Sequence, residues 1–118
     1  MTSAYHKGKY GEAMAKDYLQ KKGMVLLHER YHSPFGEIDL IMLDGQTLVF
    51  VEVKARFTGQ YEETACAITP AKQKKIWKTA CYYVADLHSQ WTARFDAVLI
   101  SREGIRHIPN AFEPDAWA

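Results

Sequence analysis

Three charged residues interrupt two apolar runs: Asp39 within Gly36-Glu37-Ile38-Asp39-Leu40-Ile41, and Glu52 and Lys54 within Leu48-Val49-Phe50-Val51-Glu52-Val53-Lys54. Both runs read as buried β-strand, and an unpartnered charge is expensive to bury. The simplest resolution is that the three side chains meet around a metal ion. A carboxylate followed by carboxylate-x-lysine is a donor set for metal-dependent phosphodiester chemistry.

Hairpin arithmetic tests whether they can meet. Asp44-Gly45-Gln46 separates the runs and is a strong turn signal. A loop at Asp44-Gly45 sets Asp39 opposite Phe50 and diagonal to Glu52. A loop at Gly45-Gln46 sets Asp39 directly opposite Glu52. Strand side chains alternate with period two, so both registers put Glu37, Asp39, Glu52 and Lys54 on one face. Directly opposed residues hold their Cβ atoms about 5 Å apart.

Two carboxylates at that separation repel unless a cation lies between them. Mg²⁺ or Mn²⁺ would satisfy both and leave room for phosphate oxygens. It would polarise the phosphate and lower the pKa of water. Lys54, on the same face, could deprotonate that water or stabilise the charge that develops on phosphorus. Glu37 is either a further, accessory ligand, an edge residue or a partner for Lys54. Glu12 flanks the apolar stripe of a preceding helix, and its spacing alone favours a solvated position.

The elements that must position these residues follow from periodicity. Residues 4 to 22 read as a helix ending at Gly23, and 24 to 31 as a strand before a turn at Pro34-Phe35-Gly36. Strands are expected at 37–43 and 47–55. A second helix opens with Thr69 as N-cap and Pro70 in its first turn and runs to about Leu87. Strands follow at 94–101 and, shorter, at 104–109. The order α-β-β-β-α-β-β predicts an α/β domain spanning 1–118: a central mixed sheet of four to five strands flanked by helices.

Composition narrows the function classes. The chain of 118 residues is 47% hydrophobic and 25% charged, with a net charge of +1, the profile of one soluble globular domain. No membrane-spanning run or secretory leader is read, so a cytoplasmic protein without a membrane partner is expected. Cys66 and Cys81 form no CxxC pair, and the five histidines have no ligand or triad spacing. The charge is unevenly spread. Lys72, Lys74, Lys75 and Lys78 fall between Pro70 and Ala80 without an acid, which fits either a polyanion-binding face or a solvated helix face.

Asp39 and Glu52-Val53-Lys54 on apolar strands resemble the PD-(D/E)xK nuclease superfamily, whose fold is restriction-endonuclease-like. Across nearly the whole chain, Gly11-Glu12-Ala13, Gly36-Glu37-Ile38-Asp39-Leu40-Ile41, Val51-Glu52-Val53-Lys54-Ala55-Arg56, Lys72 to Ile76, Arg94-Phe95-Asp96 and Asn110-Ala111-Phe112 look like the YraN-type family of small bacterial, endonuclease-like proteins. Ile38 stands directly before Asp39 where the superfamily motif has proline. The order helix glutamate, Asp39, Glu52, Lys54 is also similar to archaeal Holliday-junction resolvases.

The resemblance implies Asp39 and Glu52 as metal ligands, Lys54 as the catalytic lysine and Glu12 as an accessory catalytic carboxylate and ligand. Arg56, Lys72, Lys74, Lys75 and Lys78 would then contact DNA phosphates. The function expected is a Mg²⁺- or Mn²⁺-dependent endonuclease on branched or structured DNA; two cuts at a junction would suit a homodimer. A non-catalytic DNA-binding or adaptor module keeping the fold, and a phosphoesterase acting on RNA or nucleotides, remain alternatives. Arg94 and Asp96 share a strand face and can pair with each other.

Overall fold

The computed structural model describes residues 4–56, 68–87 and 90–113, with residues 4–9 and Arg56 as backbone only. Its elements are α1 (Ala4–Lys21), β1 (Val25–Ser33), β2 (Gly36–Asp44), β3 (Thr47–Arg56), α2 (Pro70–Ala85), β4 (Thr92–Ser101) and β5 (Gly104–Phe112). The strands form one sheet in the order β1-β2-β3-β4-β5. All neighbours are antiparallel except β3 and β4, which are parallel. A parallel pair needs a long crossover, and α2 lies within it. Among the described residues, this five-stranded mixed sheet with two helices is compatible with a restriction-endonuclease-like fold.

Among the described residues, each face of the sheet packs against one helix. Leu40, Met42, Val49 and Val51 pack with Ala15 and Leu19 of α1. Ile41, Leu48, Phe50 and Phe95 pack with Ile76 and Ala80 of α2. Alternation along β3, Leu48 to one side and Val49 to the other, explains why this central strand is apolar on both faces. Thr69 caps α2 by accepting from the Lys72 N–H at 3.2 Å, with Pro70 in the first turn. A Cβ on Gly11 would lie 2.9 Å from the Ala55 Cβ. Only glycine lets α1 come this close to β3, and Glu12 is the next residue.

The β2–β3 register settles the turn. Asp44 pairs Thr47, so Gly45-Gln46 is the two-residue loop, with Gly45 at φ 62°. Several boundaries differ from the sequence expectation. β1 continues through Ser33, because Ser33 and Gly36 pair across Pro34-Phe35. β5 continues through Phe112 despite Pro109, which an edge strand tolerates because no further strand needs its missing N–H. α2 ends at Ala85, where Asp86 caps it. Thr79, buried on α2, bonds Ser33 at 2.9 Å and ties the β1–β2 turn to the helix.

Candidate active site

The site lies where β2 and β3 stop pairing. The last paired residues are Leu40 and Val51, and continuing that register sets Asp39 opposite Glu52. Alternation fails at this point: Ile38 packs on the α2 side while Leu40, two residues on, packs on the α1 side. The Asp39 carboxylate turns into the opening and accepts the Val53 N–H at 2.7 Å. A side-chain oxygen thus replaces the backbone partner that the parting strands remove.

Asp39 and Glu52 are 8% and 3% exposed. Burial, then the neighbouring Glu52 carboxylate, pushes the Asp39 carboxyl up to about 8, although the Val53 N–H favours ionisation. Glu12 adds to that repulsion. Two ammonium groups converge on one oxygen of Glu52: Lys72 Nζ at 2.6 Å and Lys54 Nζ at 3.8 Å from Oε1. Burial and the adjacent Lys72 hold the Lys54 ammonium below its usual range. Burial is the largest influence on Lys72 and opposes its charge, but the hydrogen bond to Glu52, the contact with Lys54 and the Glu52 and Asp39 carboxylates together outweigh it and raise its pKa.

Glu12 enters from α1 and is tied to Arg30, whose Nε lies 2.7 Å from Oε2. Arg30 sits in β1 between the pairs Glu29–Leu40 and Tyr31–Ile38, which sets it opposite Asp39. Its φ of 50° lies in the left-handed region, a strained place for a side chain as large as arginine. Arg30, Asp39 and Glu52 therefore form one row across β1, β2 and β3. The sequence pattern alone gives Arg30 no place at the site. A two-residue turn at Pro34-Phe35 would have placed it opposite Asp39.

The site thus gathers Asp39, Glu52, Lys54 and Lys72, with Glu12 within electrostatic reach. Glu37 is not among them. Its carboxylate faces His32 Nδ1 at 3.3 Å and is half exposed, because the break at Asp39 ends the alternation that would have put it on the site face. Among the described residues, no three His, Cys, Asp or Glu side chains are clustered to hold a metal ion, and the Glu12 carboxylate pairs with Arg30. Lys72 reaches inward to Glu52, whereas Lys74, Lys75 and Lys78 are exposed. The Lys78 ammonium lies 5.7 Å from the Phe35 ring centre. The Arg56 side chain and Cys66 lie outside the described residues; Cys81 is a free thiol. No described helix is long and apolar enough to cross a membrane.

The donors fit a hard divalent cation. Asp39 and Glu52 offer carboxylate oxygens at an opening in the sheet. The Glu52 carboxylate opposes ionisation of Asp39, and Lys72 Nζ stands against Glu52 as a cation of the protein's own.

Residues 11–100 match the model of a family described as "Uncharacterised protein family UPF0102". The chain is 41% identical over 105 residues to a UPF0102 protein of Thermodesulfovibrio yellowstonii, covering 89% of this chain and 94% of the relative. It is 45% identical over 114 residues to one from Nitrosomonas eutropha, covering 96% and 98%. These matches bear out the YraN-type resemblance across nearly the full length: the chain belongs to the UPF0102 family.

Proposed function

We propose that this protein is a Mg²⁺- or Mn²⁺-dependent endonuclease that hydrolyses phosphodiester bonds in branched or otherwise structured DNA. The observation that carries the reading is the pair of buried carboxylates, Asp39 and Glu52, facing each other where the sheet opens, with Lys54 beside them. A divalent ion held there would polarise a phosphate and make water a better nucleophile. Asp39 and Glu52 would hold the ion. Lys54 would hold the attacking water or take its proton at Nζ. Arg30, committed to Glu12, keeps that accessory carboxylate beside the pair. Lys74, Lys75 and Lys78 on α2 offer exposed ammonium groups to neighbouring phosphates, and two copies would place two such sites on one junction.

A second reading, a non-catalytic nucleic-acid-binding module, draws on one observation. Glu12 and Glu52 are already neutralised by Arg30 and Lys72 without a metal. The two readings part on a cleavage panel of junction, flap, duplex and single-stranded DNA and RNA, with Mn²⁺ or with chelator. Cleavage of structured DNA in Mn²⁺ only is expected. Lys54→Ala should still bind Mn²⁺ yet lose roughly 10²-fold or more in rate, the scale for an acid–base or electrostatic group. DNA binding without cleavage of any substrate would favour the binding module. Cleavage confined to RNA would correct the substrate class.

A further inference from the structure

We propose that Lys72 is a displaceable counter-cation: it holds Glu52 while the site lacks a metal, is driven out when a divalent ion enters, and then engages the phosphate. This rests on the metal reading above. Glu52 is 3% exposed, and a carboxylate buried so deeply needs a cation within contact distance. Lys72 supplies one at 2.6 Å, closer than Lys54 at 3.8 Å to the same oxygen.

The two lysines differ in how they can respond to a third positive charge. Lys54 belongs to β3, and its position is fixed by the parallel pairing with Leu99 of β4; its side chain is 25% exposed. Lys72 comes from the first turn of α2, with its side chain 38% exposed and solvent alongside. Its backbone is pinned, because its N–H is committed to the Thr69 cap. Only its flexible side chain can move. A divalent ion bound by Asp39 and Glu52 would repel both ammonium groups and take over the oxygen that Lys72 holds. Lys72 has the shorter way out. Its ammonium would remain near the ion after leaving, free to pair with an anionic oxygen of the substrate.

Lys72 thereby competes with the metal, whereas a lysine serving only as a phosphate contact would not. Mn²⁺ titration calorimetry without DNA reads this directly. Lys72→Gln should bind Mn²⁺ about tenfold more tightly than wild type, the scale of losing one partly buried ion pair. Lys75→Gln, on the exposed face, should match wild type. Amine acylation followed by mass spectrometry gives a second readout on the unaltered protein. Acylation of Lys72 should rise several-fold when Mn²⁺ is added, with Lys74 as the internal reference. Equal or weaker Mn²⁺ affinity in Lys72→Gln, or Lys72 acylation unmoved by Mn²⁺, overturns this inference and leaves the metal reading standing. Absence of Mn²⁺ binding in both the wild type and Lys72→Gln overturns the metal reading and this inference with it.

Discussion

Asp39 and Asp96 are both buried aspartates on one sheet, and their surroundings are opposites. Asp96 is fully buried and saturated. Arg94 Nε donates to both of its oxygens, at 3.0 and 3.2 Å, His107 Nε2 lies 2.7 Å away, and the Asn110 N–H donates at 3.1 Å. The Lys22 ammonium lies 3.0 Å from the other ring nitrogen of His107, Nδ1. Burial works against the Asp96 charge, yet these donors hold its carboxyl below the usual range. Asp39 has one backbone donor and a second carboxylate as neighbour, and is pushed up to about 8. A buried acid whose donors are all supplied by the fold is a structural member. A buried acid that, among the described residues, faces another carboxylate instead of a cation has the electrostatics that the proposed metal ion would satisfy. The Asp96 network shapes the edge of the sheet: it holds Asn110 at φ 52°, beside the register shift between Phe95 and Ala97.

The contrast breaks if the two aspartates respond alike to mutation. Asp96→Ala takes the carboxylate from His107 and the Asn110 N–H and leaves Arg94 with its Asp44 partner; it should cost roughly 3–5 kcal/mol in urea unfolding, the scale of opening a buried ion pair. Asp39→Asn in chelator should cost little, because the amide oxygen can still accept from Val53 and the repulsion with Glu52 is gone. A loss at Asp39→Asn as large as that at Asp96→Ala would show that the metal-free fold depends on both acids equally.

pH sharpens the same contrast. The folded-state pKa of Asp39 lies above its unfolded value. Its stabilising contribution is present below roughly pH 4 and is lost as pH rises through about 8. Asp96 has the opposite sign: its contribution is present above its unfolded pKa and is lost as pH falls through its depressed folded value. In chelator, the stability of Asp39→Asn relative to wild type should therefore climb between about pH 4 and 8, by up to a few kcal/mol. Added Mn²⁺ should reduce that gap, since the ion stabilises the wild-type carboxylate. A flat difference across this range would mean that Asp39 is ionised in the metal-free protein.

Gly11→Ala tests the positioning of the third acid. The new Cβ would stand 2.9 Å from the Ala55 Cβ, and neither group can rotate away. About 1–3 kcal/mol of destabilisation is the scale for overpacking of this kind. If α1 shifts to relieve the contact, the Glu12–Arg30 pair at the site moves with it. Thermal unfolding at the wild-type temperature would show that α1 adjusts without cost.

Much of this was legible from the residues. Period-two alternation and the Gly45-Gln46 turn brought Asp39, Glu52 and Lys54 together, since register is a local, countable property. Thr69-Pro70 fixed the start of α2 for the same kind of reason. Glu37 was misplaced because alternation was extended through Asp39, where the strands part; nothing in Glu37-Ile38-Asp39 announces that break. Arg30 is legible by the same hairpin arithmetic one turn earlier, since a two-residue turn at Pro34-Phe35 sets it opposite Asp39. Lys72 was harder. Periodicity assigns a residue to a face of its helix, not to the part of the sheet over which the first turn lies. The Asp96 network needed contacts between β4 and β5 that no single-strand pattern contains.

The smallest expected effect concerns the other lysines of α2, and it extends the comparison from acids to bases. Lys72 is held by Glu52, whereas Lys74, Lys75 and Lys78 stand exposed on the same helix. If the exposed three serve as phosphate contacts, each one removed should reduce the slope of log affinity against log salt by about 0.9 on duplex arms. Replacing Lys74, Lys75 and Lys78 together with Gln should weaken DNA binding at low salt and flatten its salt dependence. Mn²⁺ affinity should stay at the wild-type value, because none of the three is seen to touch the carboxylates. Lys72→Gln should do the reverse to the metal, tightening it. Fluorescence anisotropy over a salt series, run beside Mn²⁺ calorimetry, separates the two kinds of lysine. An unaltered slope in the triple variant would make the outer lysines a solvated face, and the search for a DNA surface would move to the α1 side, beginning with Lys16, which the structure pairs with Glu29.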